Sequence, residues 1–360
     1  MPHQELKNRG LPQALRFSDG RRVAGAEDWE KRREEIKELL CREEYGFLPP
    51  KPRSVTAQAV KTEENFCAGK ASLTTVRLTA VWDGGEFSFL VYCTRPYAAR
   101  PCPAFVFINF RDGVPDRYLP AEEVVDSGFA VFSFCYQDIT SDDGDMTNGL
   151  AKFFCADASD KSAPGKIALW AWAAMRVMDY VQTLETIDRA NVAVMGHSRL
   201  GKTALLAGAM DERFAFVISN DSGCGGAALS RGKGGERIAD ITARFPFWFC
   251  ENYLQYRGKE ETLPFDQHFL LSLVFPRGLY VASAEKDAWA DPRSEFLACV
   301  ETGKVYEALG AAGLVHSGRW PVANEWYHEG SIGYHMRAGT HYLSRCDWSC
   351  FMRFVTEHRN

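Results

Sequence analysis

Hydrophobic and polar positions along this chain change rhythm near residue 101. Before that point, charges fill most of residues 28–48 while Trp29, Ile36, Leu39 and Leu40 recur at helical spacing, and Pro49 and Pro50 close the segment; the pattern predicts an N-terminal helix. LTTVRLTAVW and EFSFLVYC then alternate apolar and polar residues on either side of Asp83, Gly84 and Gly85, a hairpin signature. After Pro101, AFVFIN, FAVFSF, NVAVMG, FAFVISN and GLYVASA are apolar runs without alternation, as expected of strands covered on both faces.

Helical segments separate these runs, and the clearest of them, residues 165–184, leads directly into NVAVMG. The expectation is an α/β fold: a three-layer sandwich with a mostly parallel central sheet, antiparallel at its N-terminal edge. One domain should cover residues 1–360, with the N-terminal helix and hairpin at about 28–93. An insertion at about 224–268, rich in Gly, Arg and aromatic residues, is placed to shape a site.

Composition removes several classes of function. The formal net charge is −5, with 42 Lys and Arg against 47 Asp and Glu interspersed along 360 residues, so no basic footprint for nucleic acid is present. No apolar run is long enough for a membrane span or a leader, and the eleven cysteines are scattered without a C-x-x-C pair. These features predict reduced thiols, a cytoplasmic location, and neither nucleic-acid nor membrane partners; they are silent on oligomeric state. SDDGDMTN at 141–148 has the alternate aspartates of a calcium loop but no distal glutamate, and reads as a solvated loop without a ligand. His268 and His328 lack metal-ligand spacing, and no metal or cofactor is expected.

The chemistry concentrates at GHSRLGKT, residues 196–203, which satisfies two patterns. As Gly196, four residues, then Gly201, Lys202 and Thr203, it matches a phosphate-binding loop, and an NTPase would follow. As an apolar strand, a small residue, Ser198 and a helix, it matches a nucleophile elbow. Phosphate loops usually follow the first strand of their domain, whereas several strands precede this one, and the elbow reading also gives work to residues downstream. Gly201 stands three residues after the serine instead of two, and Arg199 follows Ser198 directly, where a guanidinium can stabilise a developing oxyanion. In α/β-hydrolases an acid and then a histidine come later in the chain. Asp221 ends FAFVISN, Asp287 lies just past GLYVASA, and His335 and His341 lie near the C-terminus.

GHSRLGK resembles the G-C-S-R-x-G-K signature of glucuronoyl esterases, carbohydrate esterase family 15, with His197 in place of the cysteine. WDGGEF, the helix GKIALWAWAAMRVMDYV, SNDSGCGG, SAEKDAWADP and GYHMRAG-H followed by DW are similar to the bacterial branch, over about residues 30–350. The resemblance implies an α/β-hydrolase fold and hydrolysis of a (4-O-methyl-)glucuronic acid ester, in a small molecule or an oligosaccharide, with plant cell wall lignin–carbohydrate esters as the setting. It implies Ser198 as nucleophile, His341 as base and Arg199 in the oxyanion site through its backbone N–H and side chain. Lys202 and Glu236 match positions that hydrogen-bond sugar hydroxyls, and Trp289 an indole lining the sugar pocket. The family places its triad acid at either of two strand ends, so Asp221 and Asp287 both stay open, with Asp287 favoured. An esterase for acetyl or other carbohydrate esters on the same fold is the alternative.

Overall fold

The computed structural model describes residues 1–155 and 159–359. The N-terminal helix α1 (Ala26–Leu40) buries Trp29, Ile36 and Leu40, the spacing expected from the sequence, together with Arg32 and Arg33. Three long strands follow: β1 (Ser54–Asn65), β2 (Ala71–Trp82) and β3 (Gly85–Pro96), each antiparallel to the next. The hairpin at Asp83 and Gly84 lies where the alternation placed it. Strand β1 was not legible in the sequence, because almost all of its residues are exposed and no apolar side of the pleat marks it.

The apolar runs form β4 (Cys102–Asn109), β5 (Ala130–Cys135), β6 (Ile187–His197), β7 (Phe216–Asn220) and β8 (Gly278–Ala284). A short β9 (Glu325–Tyr327) and β10 (Ile332–Arg337) complete one sheet of order β1-β2-β3-β5-β4-β6-β7-β8-β10-β9. Strands β5, β4, β6, β7, β8 and β10 run parallel. The expected antiparallel N-terminal edge is present, and β9 adds a second antiparallel pairing at the opposite edge.

Why the central runs lack alternation is visible in β4. Ala104, Val106 and Ile108 face one core, which contains α1 and the helices α2 (Lys166–Val181), α3 (Arg199–Met210) and α4 (Pro292–Ala308). Phe105 and Phe107 face the other core, closed by α5 (Arg345–His358). Both cores are apolar, so both sides of each strand must be apolar. Trp348 of α5 packs edge-on against Phe105 and Phe107 at 5.3 and 5.4 Å between ring centres, and removing such a buried ring typically costs about 3–5 kcal/mol. Residues between β7 and β8, the expected insertion, form short helical turns over the carboxyl ends of the central strands. No helix among the described residues is long and apolar enough to cross a membrane.

Candidate active site

The segment 196–203 folds as an elbow. Strand β6 ends at His197, α3 begins at Arg199, and Ser198 between them takes φ 58° and ψ −126°, a conformation most side chains avoid. Two close approaches explain the flanking glycines. A Cβ on Gly196 would lie 2.1 Å from the Leu200 carbonyl oxygen, and one on Gly201 would press on Ser219 and Ser222 at 3.0 Å. The Ser198 N–H donates to the Asn220 carbonyl at 2.8 Å, which ties the bend to β7. A phosphate loop would need several residues between strand and helix to wrap an anion; one residue separates them here, and the Lys202 ammonium donates to the carbonyls of Ser222 and Cys224.

Ser198 Oγ lies 2.9 Å from His341 Nε2, and His341 Nδ1 lies 2.6 Å from Asp287 Oδ2. A carboxylate can only accept, so Nδ1 carries the proton and Nε2 is the nitrogen that accepts from the serine. The histidine ring is 43% exposed and the Asp287 carboxylate only 6%, so the base faces the cleft and the acid stays behind it. Burial pushes the Asp287 carboxyl up, but the hydrogen bond and charge of His341, with the Ala290 N–H, outweigh burial and hold it below the usual range. His197 sits under this pair with its ring 4.6 Å from that of His341; burial, then repulsion from His341, pull it down to about 3, so it stays neutral.

The two open alternatives separate here. Asp221 lies close to Asp287 and His341, the three offering ligand atoms within 4.8 Å of one another, yet it makes no hydrogen bond to the imidazole. Burial, reinforced by the charges of Glu295, Asp287 and Asp347 and opposed by Arg337, pushes its carboxyl well above the usual range. Both nitrogens of His341 are engaged in hydrogen bonds, one to Ser198 and one to Asp287. His335 is remote from Ser198 and holds Asp347 at 2.8 Å and the Tyr280 hydroxyl at 3.0 Å.

The loop carrying His341 is clamped by Arg337, at the end of β10. Its guanidinium donates to both oxygens of Asp347 and to the carbonyls of Ala338, Thr340 and Tyr342, on either side of the histidine. Asp347 also closes a capping box with Ser344 at the start of α5, so the base is fixed to both a strand and a helix.

A cleft of about 300 Å³ opens over Ser198. All eight residues expected from the sequence line it: Ser198, Arg199, Lys202, Asp221, Glu236, Asp287, Trp289 and His341. Lys202 is buried, where a helix-surface lysine would be solvated, and burial draws its ammonium below the usual lysine range against the opposing charge of Glu236. The loop bearing Glu236 is docked on the turn bearing Asp287 and Trp289. Gly234 N–H donates to Asp291 at 2.8 Å, Glu236 N–H to the Trp289 carbonyl at 2.9 Å, and Lys233 Nζ to the Ala290 carbonyl at 2.9 Å. Gly235, at φ 59°, is required there: a Cβ would lie 2.4 Å from the Ala288 carbonyl oxygen. The Trp289 indole is left 55% exposed on the rim.

Sequence reasoning missed Arg244, Phe245 and Trp248, which supply an aromatic wall from the insertion. Phe245 and Trp248 stack at 3.9 Å, and the Arg199 guanidinium lies 4.7 Å over Trp248. The solvated-loop reading of residues 141–148 is corrected in part. Asp143 and Asp145 are exposed, but the Asp142 carboxylate is 6% exposed and holds Arg199, Trp248 and Tyr136. The loop is folded around an internal cation, the ammonium of buried Lys166, which donates to the carbonyls of Ser141 at 2.7 Å and Asp145 at 2.8 Å.

Comparison with known proteins places the chain in a family. The family model for fungal glucuronyl esterases matches residues 78–310. The 4-O-methyl-glucuronoyl methylesterase of Podospora anserina is 35% identical over 82% of this chain and 59% of its own. A promiscuous CE15 esterase from a marine bacterial metagenome superposes with a TM-score of 0.88 at 35% identity, covering 97% of this chain and 96% of that one. The glucuronoyl esterase of Solibacter usitatus gives 0.87 at 34% identity, covering 97% and 98%. With these likenesses spanning nearly the whole chain, the protein belongs to the glucuronoyl esterases, carbohydrate esterase family 15.

Proposed function

We propose that this chain hydrolyses carboxylic esters of 4-O-methyl-glucuronic acid through an acyl-enzyme on Ser198. The observation that carries the reading is the unbroken hydrogen-bonded chain from Ser198 through His341 to Asp287, opening on a cleft that also presents Lys202 and Glu236. The relatives' names support a uronate as the acyl group.

Ser198 Oγ attacks the ester carbonyl while its proton passes to His341 Nε2, and Asp287 stabilises the imidazolium that forms. The carbonyl oxygen becomes an oxyanion. As the first residue of α3, Arg199 has a backbone N–H without an intrahelical acceptor, and its side chain lines the same cleft as the attacking hydroxyl. Loss of one such donor typically costs about 2.7–4 kcal/mol of barrier lowering. The imidazolium returns its proton to the departing alkoxide, which leaves as the alcohol. Water, deprotonated by the same nitrogen, then attacks the acyl-enzyme and releases the glucuronate with Ser198 restored. Lys202 and Glu236 supply a donor and an acceptor for the ring hydroxyls, and Trp289 an apolar face, which orients the ester over Ser198.

The test is a panel of methyl, benzyl and allyl glucuronate beside acetylated xylan and feruloyl esters, with the wild type and Ser198→Ala. Turnover confined to the glucuronate esters and absent from the variant is expected. Preference for acetyl or feruloyl esters would overturn the substrate, and an active Ser198→Ala would overturn the nucleophile.

A further inference from the structure

We propose that Asp142 is a positioning residue for the reaction, setting the Arg199 guanidinium at the oxyanion side of Ser198. This rests on the catalytic reading of Arg199 given above. Three donors from separate parts of the chain converge on one carboxylate. Trp248 Nε1 donates to Oδ1 at 2.7 Å, the Tyr136 hydroxyl donates to Oδ2 at 2.9 Å, and Arg199 Nη1 donates to the same Oδ2. Burial first, then the Asp142 charge, push the Tyr136 phenol well above the usual range, so it remains a donor.

The geometry constrains Arg199 in two ways. Contact with the rings of Trp248, Phe245 and Phe110, at 4.7, 5.5 and 5.8 Å from their centres, confines the guanidinium in position but does not aim its N–H groups. The Asp142 carboxylate removes that remaining freedom, because its hydrogen bond holds Nη1 and thereby aims the rest of the fork. The same carboxylate holds Trp248 by its other oxygen, so the ring and the cation it carries are fixed by one group.

The carboxylate itself is held by its loop. Lys166, at the start of α2, places its ammonium within hydrogen-bond distance of the Ser141 carbonyl and hydroxyl and the Asp145 carbonyl, with Asp143 at 3.4 Å. An ammonium thereby offsets the repulsion among Asp142, Asp143 and Asp145, with the stem of the lysine buried in the core.

A double-mutant cycle on methyl glucuronate, with Asp142→Asn, Arg199→Met and the pair, tests the proposal. Asp142→Asn is expected to lower kcat by at least about tenfold with KM within about twofold, since the interaction matters where charge develops. The pair should be no slower than Arg199→Met alone, because a positioning residue has nothing left to position once the guanidinium is gone. Losses that multiply, or full activity in Asp142→Asn, would overturn the role of Asp142 while leaving that of Arg199 intact. Full activity in Arg199→Met would overturn the reading of Arg199 and this proposal together. Asp142→Glu keeps the charge but displaces it by one methylene; it is expected to retain fold and melting behaviour yet lose kcat, and unimpaired kcat in it would also count against the proposal.

Discussion

Asp287 Oδ2 approaches His341 Nδ1 to 2.6 Å, on the ring edge opposite the nitrogen that accepts from Ser198, while Asp221 on the neighbouring strand end makes no hydrogen bond to that ring. The carboxyls of the two aspartates are also shifted in opposite directions, Asp287 down and Asp221 up. Asp287→Asn should lower kcat by about 10³–10⁴, because the amide favours the wrong tautomer of His341. Asp221→Asn replaces a carboxyl already driven toward its neutral form by an isosteric neutral group, and should cost about tenfold or less. Steady-state kinetics on methyl glucuronate separates the two, and the reverse ranking would make Asp221 the acid.

Lys202 should act on binding of the sugar. Lys202→Met removes a charged donor, an interaction typically worth about 1.5–3 kcal/mol, and is expected to raise KM for glucuronate esters by about tenfold or more. A small activated ester such as a nitrophenyl acetate has no ring hydroxyls to offer, so its hydrolysis should fall much less. Equal losses on both substrates would mean that the lysine supports the elbow and not the sugar.

Gly196→Ala tests the elbow itself. The added methyl would meet the Leu200 carbonyl oxygen at 2.1 Å, a backbone atom that can move only if the strand-to-helix bend opens. Urea unfolding should show a loss of at least about 2 kcal/mol, with esterase activity abolished, in line with strain at a special backbone position. An active variant of native stability would contradict the close approach.

Stability should decline toward alkaline pH because of Glu44. Burial pushes this carboxyl from its ordinary 4.5 up to about 8, despite the Gln267 amide donating to both of its oxygens at 3.0 and 3.1 Å. Between those values the folded state keeps a proton that the unfolded chain has lost, so the contribution is present at acid pH and is lost as pH rises through about 8. Asp221 and Glu295, also buried and raised, act in the same direction. Glu44→Gln should flatten the fall in melting temperature between pH about 5 and 8 without abolishing it. An unchanged slope would mean that Glu44 is already charged in the fold.

The central strands and the elbow were legible because their signals are local. An apolar run, Gly196, Ser198 and the helix-forming Thr203-Ala204-Leu205-Leu206 follow each other between residues 192 and 206. Choosing between Asp221 and Asp287 was not a local matter. Both stand just past adjacent parallel strands, and only the path of the 338–344 loop, held by Arg337, decides which one meets the imidazole. Lys202 and Glu236 entered through family resemblance, since neither residue type nor spacing distinguishes a buried pocket lysine from a solvated one. Asp142 escaped because its partners, at positions 136, 199 and 248, come together only when the insertion folds back over the sheet. Strand β1 escaped for the opposite reason: it buries too little to leave a pattern.

The docking of residues 233–236 onto residues 287–291 couples two properties that evolution and engineering would prefer to tune separately. On the proposed function, the insertion supplies the sugar contact through Glu236, whereas the turn supplies the acid, Asp287. Because hydrogen bonds and one glycine weld these segments together, transplanting the insertion from a cousin with another taste would drag the proton relay out of register. The natural unit of exchange in this fold is the pair of segments.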